Sequence, residues 1–101
     1  MDKNILRQAQ QMQAKLVKAQ EELEKATVEA SSGGGAVTVV VSGQQQLRSI
    51  KISSEAVDPD DIEMLEDLIL TAVNEGMEKA KELAASQIGA ITGGFNIPGL
   101  L

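Results

Sequence analysis

A chain of 101 residues, 43% of them apolar but with Phe95 as the only aromatic, has room for one domain whose core is built from Val, Ile, Leu, Met and Ala. With neither cysteine nor histidine, it has no disulfide framework, no thiolate nucleophile, no imidazole base and no Cys-ligated zinc. The formal net charge of −6 weighs against nucleic acid, because phosphate neutralisation supplies most non-specific affinity. The charge is uneven, however. Residues 1–51 hold seven cations against five anions, and residues 52–101 hold two against ten. Among the first twenty residues the only acid is Asp2, beside Lys3, Arg7, Lys15 and Lys18.

The opening Met1-Asp2-Lys3-Asn4-Ile5 has no basic stretch leading into an apolar one, and the longest apolar run is centred on Val39-Val40-Val41. Neither a signal peptide nor a membrane span is expected, and the cytoplasm is the expected compartment. From Lys3 to Glu24 there is no Gly or Pro, and good helix formers dominate. The apolar positions Ile5, Ala9, Met12, Leu16, Ala19, Leu23 and Ala26 alternate steps of four and three, the seam of a helix lying along another helix. Gln8, Gln10, Gln11, Gln13, Lys15, Lys18 and Gln20 fall off the seam and form a polar face open to an outside partner.

Thr27-Val28-Glu29-Ala30-Ser31 predicts a short edge strand, and Ser32-Gly33-Gly34-Gly35 can supply the positive φ of a tight reversal. Ala36–Ser42 is the strongest strand, with Val37, Val39 and Val41 on one face, and is expected at the centre of the sheet. After a turn at Gly43-Gln44-Gln45-Gln46, Leu47–Ile52 reads as a third strand with Ile50 and Ile52 inward and Ser49 and Lys51 outward. Leu47 breaks that alternation and predicts a bulge.

Asp58-Pro59-Asp60-Asp61 reads as a helix start with Asp58 as N-cap and Pro59 in the first helical position. A long helix is expected to run to about Gln87, its stripe formed by Ile62, Leu65, Leu68, Ile69, Ala72, Val73, Gly76, Ala80, Leu83 and Ala84. Gly76 weakens a helix unless a backbone or sheet passes close, so it is expected at a packing contact. The expected organisation is a single domain over 1–101, α+β: helix 1–26, a three-stranded antiparallel sheet 27–53, helix 58–88 and a flexible tail 89–101. One helix cannot cover both faces and edges of such a sheet, so a second subunit is expected to complete it.

In this order the segments resemble the YbaB/EbfC family of nucleoid-associated DNA-binding proteins. The resemblance rests on Gln8-Ala9-Gln10-Gln11-Met12-Gln13, on Gly33-Gly34-Gly35 before a valine strand, and on Ser49-Ile50-Lys51-Ile52. Asp58 to Leu68, Thr92-Gly93-Gly94 and Pro98-Gly99 extend it over nearly the whole chain. It implies an α-β-β-β-α subunit in a tweezer-like homodimer that binds duplex DNA and contributes to nucleoid organisation and gene regulation.

Lys3, Arg7, Lys15 and Lys18 are the first candidates for phosphate contact, with the solvated face of a helix as the plain alternative. In a dimer each appears twice. Lys79 and Lys81 are further candidates, although helix-dipole complementarity and pairing with Glu75, Glu78 and Glu82 account for them more simply. Arg48 and Lys51 read as charges that protect a strand edge.

Gly33-Gly34-Gly35 lacks the Lys-Ser/Thr of a phosphate loop and opens a strand, so no nucleotide cofactor is expected. The acids around Asp58 to Asp67 lack calcium-loop spacing, so no metal is expected. Neither catalysis nor a small-molecule substrate is expected, because no base and nucleophile converge. With few aromatics for base stacking, duplex DNA is favoured over single strands or RNA, with weak and largely sequence-tolerant binding. The rival reading is an acidic dimeric adaptor that binds DNA-repair or replication proteins rather than DNA.

Overall fold

The computed structural model describes residues 2–93. Helix α1 (Lys3–Lys25) leads into strands β1 (Thr27–Ser32), β2 (Val37–Ser42) and β3 (Leu47–Ile52). A single 3-10 turn at Ser54–Ala56 precedes helix α2 (Ile62–Thr92). The sheet is antiparallel in the order β1-β2-β3, so the valine-rich strand is central as its composition predicts. Class and element order, α+β with α-β-β-β-α, match the sequence expectation.

Val37, Val39 and Val41 are fully buried and, with Ala30, Ala72 and Ala80, make the core between the sheet and α2. Val28, Leu65, Leu68, Ile69, Val73 and Met77 pack around it. Small residues on both surfaces let helix and sheet approach closely. At Gly76 an added Cβ would stand 2.8 Å from Val41 Cγ2 and 3.0 Å from Val39 Cγ2. The expected packing contact is therefore made with the sheet. Gly33, Gly34 and Gly35 all take positive φ, as the tight reversal requires.

The predicted bulge is present. Val40 pairs with Ser49 and Val41 with Leu47, which leaves Arg48 as the extra residue. The extra residue restores Leu47 to the same side of the sheet as Ile50 and Ile52, which pair with Val39 and Val37. That side is the one α2 covers, but α2 lies over β1 and β2 and stops short of β3. Leu47, Ile50 and Ile52 consequently remain 39–41% exposed in the single chain.

Two boundaries depart from expectation. Asp58 does not cap α2. Its Oδ1 accepts the Asp60 N–H at 3.0 Å, and its carbonyl accepts the Asp61 N–H at 3.0 Å, closing a separate turn that holds Pro59. Asp61 is the N-cap, accepting the Met64 N–H at 3.3 Å. Of several nearby aspartates, the one adjacent to the first apolar residue of the stripe takes the cap. At its far end α2 continues to Thr92 through residues expected in a tail. Ile88 and Ile91 extend the three-and-four spacing and are partly buried, and this contact outweighs the roughly 1 kcal/mol that Gly89 costs a helix. The rest of the expected tail, from Gly94 on and including Phe95, lies outside the described residues.

Helix α1 packs on the C-terminal half of α2 and touches β2 near its end. Its seam is buried at Ala19 and Leu23 and half-buried at Met12, Leu16 and Ala26. Ile91 of α2 lies beside Met12 of α1. The seam is thus used within one chain, and the two helices form an arm beyond the sheet. The arm gives principal extents of 69 × 25 × 16 Å and a radius of gyration of 19.3 Å, against about 13 Å for a compact chain of this size. No helix among the described residues is long and apolar enough to cross a membrane.

Candidate nucleic-acid interface

The outward face of α1 has the strongest local excess of positive charge among the described residues. Asp2 caps the helix by accepting the Asn4 N–H at 3.0 Å, and no acid follows in the first turn. Lys3, Arg7, Lys15 and Lys18 are all exposed. At about 100° per residue, Lys3, Arg7 and Lys18 fall within about 60° of one another, with Lys15 on their flank. This line lies opposite the seam of Met12, Leu16, Ala19 and Leu23. The packing that seats α1 on α2 therefore turns its cations to solvent.

Lys25, exposed in the last turn of α1, lies on the same line. Its spacing of seven residues from Lys18 is the signal that would have marked it in the sequence. Interleaved with the cations are exposed Gln8, Gln10, Gln11, Gln13 and Gln20, whose amides can donate to phosphate or sugar oxygens.

The cations of α2 stand apart from this row. Lys79 Nζ donates to the Glu29 carbonyl at 3.1 Å and lies 3.7 Å from Glu75 Oε1, the only salt bridge among the described residues. The side chain ties α2 to the open edge of β1, the role its simpler reading gave it. Lys81 is exposed two residues further on, between Glu78 and Glu82. Arg48, at the bulge, donates to the Glu24 carbonyl at 3.1 Å and fastens the last turn of α1 to β3. Gln44 and Gln45 reinforce the same junction, donating to the carbonyls of Gln20 at 2.8 Å and Met77 at 3.3 Å. These four side chains orient the arm relative to the sheet.

The interface has a face of point charges and amides with no pocket behind it, and it presents no aromatic side chain among the described residues. Such a face can neutralise a regularly spaced polyanion.

Comparisons with known proteins point in the same direction. The sequence profile of the YbaB/EbfC DNA-binding family matches residues 1–95. A nucleoid-associated protein of Syntrophobacter fumaroxidans is 54% identical over 97 residues, covering 96% of this chain and 88% of that protein. Another, from Caldanaerobacter subterraneus subsp. tengcongensis, is 56% identical over 97 residues, covering 96% and 87%. Among solved structures, an uncharacterized protein of Helicobacter pylori shares the fold at a TM-score of 0.73 with 22% identity, covering 85% of this chain and 91% of that one.

Proposed function

The chain belongs to the YbaB/EbfC DNA-binding family, and on that premise we propose that it is a nucleoid-associated protein that binds duplex DNA as a homodimer. The relatives that match most of its length are named nucleoid-associated proteins. Its place is the bacterial cytoplasm, on the nucleoid, where it contributes to DNA organisation and gene regulation and catalyses no reaction. The family description favours this reading over that of an adaptor for repair or replication proteins.

The observation that carries the mechanism is the row of Lys3, Arg7, Lys15 and Lys18 on the free face of α1. In a dimer the row occurs twice, on two arms that extend from a shared body and can flank a duplex. Lysines and glutamines along a helix grip phosphates without reading bases, so affinity depends weakly on sequence. Lys81 stands as a subsidiary contact, and Lys79 as one available only when released from Glu29 and Glu75. The net charge of −6 keeps the affinity modest and makes the orientation of approach selective, since the acidic surface of α2 repels the same phosphates.

The second copy is required by β3. Leu47, Ile50 and Ile52 form an apolar strip on the α2 side of the sheet that no described element of the same chain covers. Ile62 at 47% exposure and partly buried Ile69 and Val73 continue it onto α2. A self-complementary contact of two such strips closes both sheets.

The test is a titration of duplex DNA with the chain and with its fourfold variant Lys3→Ala/Arg7→Ala/Lys15→Ala/Lys18→Ala. For the unsubstituted protein the logarithm of affinity should fall linearly with the logarithm of salt concentration, by about 0.9 per phosphate neutralised. The variant should bind at least tenfold more weakly at low salt, with a shallower slope and unchanged dimer mass. Absence of binding by the unsubstituted dimer at low salt, or an affinity indifferent to salt, overturns the proposal.

A further inference from the structure

The seam of α1 is longer than the surface that covers it. Its residues from Met12 to Leu23 meet α2, but Ile5 and Ala9 continue the same line with no described element against them. Ile5 is 59% exposed and its neighbour Leu6 48%. Where coverage ends there is a small groove of about 50 Å³ lined by Gln8, Gln11, Met12, Lys15 and Ile91. Ile91 stands one residue before Thr92, the last residue of α2. The two helices run antiparallel, so the axis of α2 at Thr92 points along α1 toward Ile5.

The residues after Thr92 suit that path. Gly93-Gly94 interrupts helix propensity, and Pro98 disfavours a helical conformation at Ile97, so Phe95-Asn96-Ile97 is biased toward extended backbone. In extended backbone Phe95 and Ile97 point to one side and Asn96 to the other. The distance along α1 from Met12 to Ile5 is about 10 Å at 1.5 Å per residue, which three or four extended residues span. Ala9, small and midway along the bare segment, leaves space for an aromatic ring.

We propose that Phe95 and Ile97 dock on the uncovered seam of α1 in the same chain, Phe95 over Ala9 and Met12 and Ile97 against Ile5. The segment extends the packing of the arm to the first turns of α1. It lies opposite Arg7 and Lys18, so the cation row stays open and the dock is independent of any DNA bound there. The seam positions Ile5 and Ala9 and the lone aromatic thereby share one explanation.

The absence of cysteine from the chain makes the test direct. The full chain carrying Ile5→Cys and Ile97→Cys should form an intrachain disulfide under mild oxidation, seen as a faster-migrating single chain on a non-reducing denaturing gel. A Lys18→Cys/Ile97→Cys pair should not. A disulfide between two chains assigns the groove to a second copy and overturns the proposal, as does the lack of any preference between the two pairs. A second measurement leaves Ile5 and Ile97 in place. In Phe95→Ser, amide hydrogen exchange over residues 5–12 should rise about tenfold while that of β2 stays unchanged, as local rather than global opening requires. Unaltered exchange in that segment overturns the proposal.

Discussion

At the scale of single residues, two glycines of one helix illustrate how context sets the sign of a substitution. Gly76 faces the fully buried Val39 and Val41, whose branched side chains have no free end to move aside. Gly76→Ala gains helix propensity of about 1 kcal/mol but overpacks the core at a cost of about 1–3 kcal/mol. The expected outcome is a net loss of about 1 kcal/mol in urea denaturation. An added Cβ at Gly89 meets nothing within 4 Å. Gly89→Ala should therefore stabilise the protein by about 0.5–1 kcal/mol in the same measurement. Equal effects at the two sites would contradict the packing of α2 on the valine strand.

Ser32 and Ser42 show the same dependence on surroundings for polar groups. Ser32 Oγ donates to the Leu68 carbonyl at 2.6 Å, joining the sheet to α2, and Ser42 Oγ accepts the Gln46 N–H at 3.1 Å inside the second turn. Each is buried, and each has a partner in the tertiary fold. Nothing in the local sequence distinguishes them from the exposed serines at positions 49 and 53.

Among the elements, the start of α2 is the clearest case of competition between neighbours. Four residues from Asp58 to Asp61 contain three aspartates, and cap statistics alone allow more than one of them to serve. The geometry gives Asp61 the Met64 N–H and leaves Asp58 to close its own turn on Asp60. Asp61→Ala should cost about 1 kcal/mol of stability, typical of a missing N-cap. Asp58→Ala should cost less, because the turn keeps its backbone bond from Asp61 to the Asp58 carbonyl. A thermal melt of the two variants side by side checks the order, and a larger loss at Asp58 would reverse the assignment.

Helix α1 is the element in which periodicity carries both packing and function. Steps of three and four decide which residues meet α2, and the same geometry sends Arg7, Lys18 and Lys25 to the opposite side. The row and the seam are two readings of one pattern. The arm as a unit is held by Arg48, Gln44 and Gln45 on helix carbonyls, and these bonds are made between elements far apart in the chain.

For the whole molecule, the exposed strip on β3 is decisive. Ile50→Glu places a charge at the centre of Leu47, Ile50 and Ile52, in a position 41% exposed in the single chain, so the effect should fall mainly on association. Sedimentation should show a shift from two-chain to one-chain mass, with DNA affinity lowered because two arms no longer act together. A variant that stays dimeric would place the contact elsewhere.

What the sequence by itself determined is whatever depends on neighbours within a few turns or on strand alternation. This covers the two helices, the central place of the valine strand, the glycine reversal, the bulge announced by Leu47, and a cation row opposite an apolar seam. Residues such as Val39 and Leu23 declare their environment because their spacing matches the period of the element. The tertiary structure decided what depends on distant surfaces: which aspartate caps α2, how far that helix runs past Gly89, the tethering of Lys79 and Arg48, and the failure of α2 to cover β3. These outcomes arise when separate elements compete for the same groups, and pairwise contacts across tens of residues leave no periodic trace in the chain.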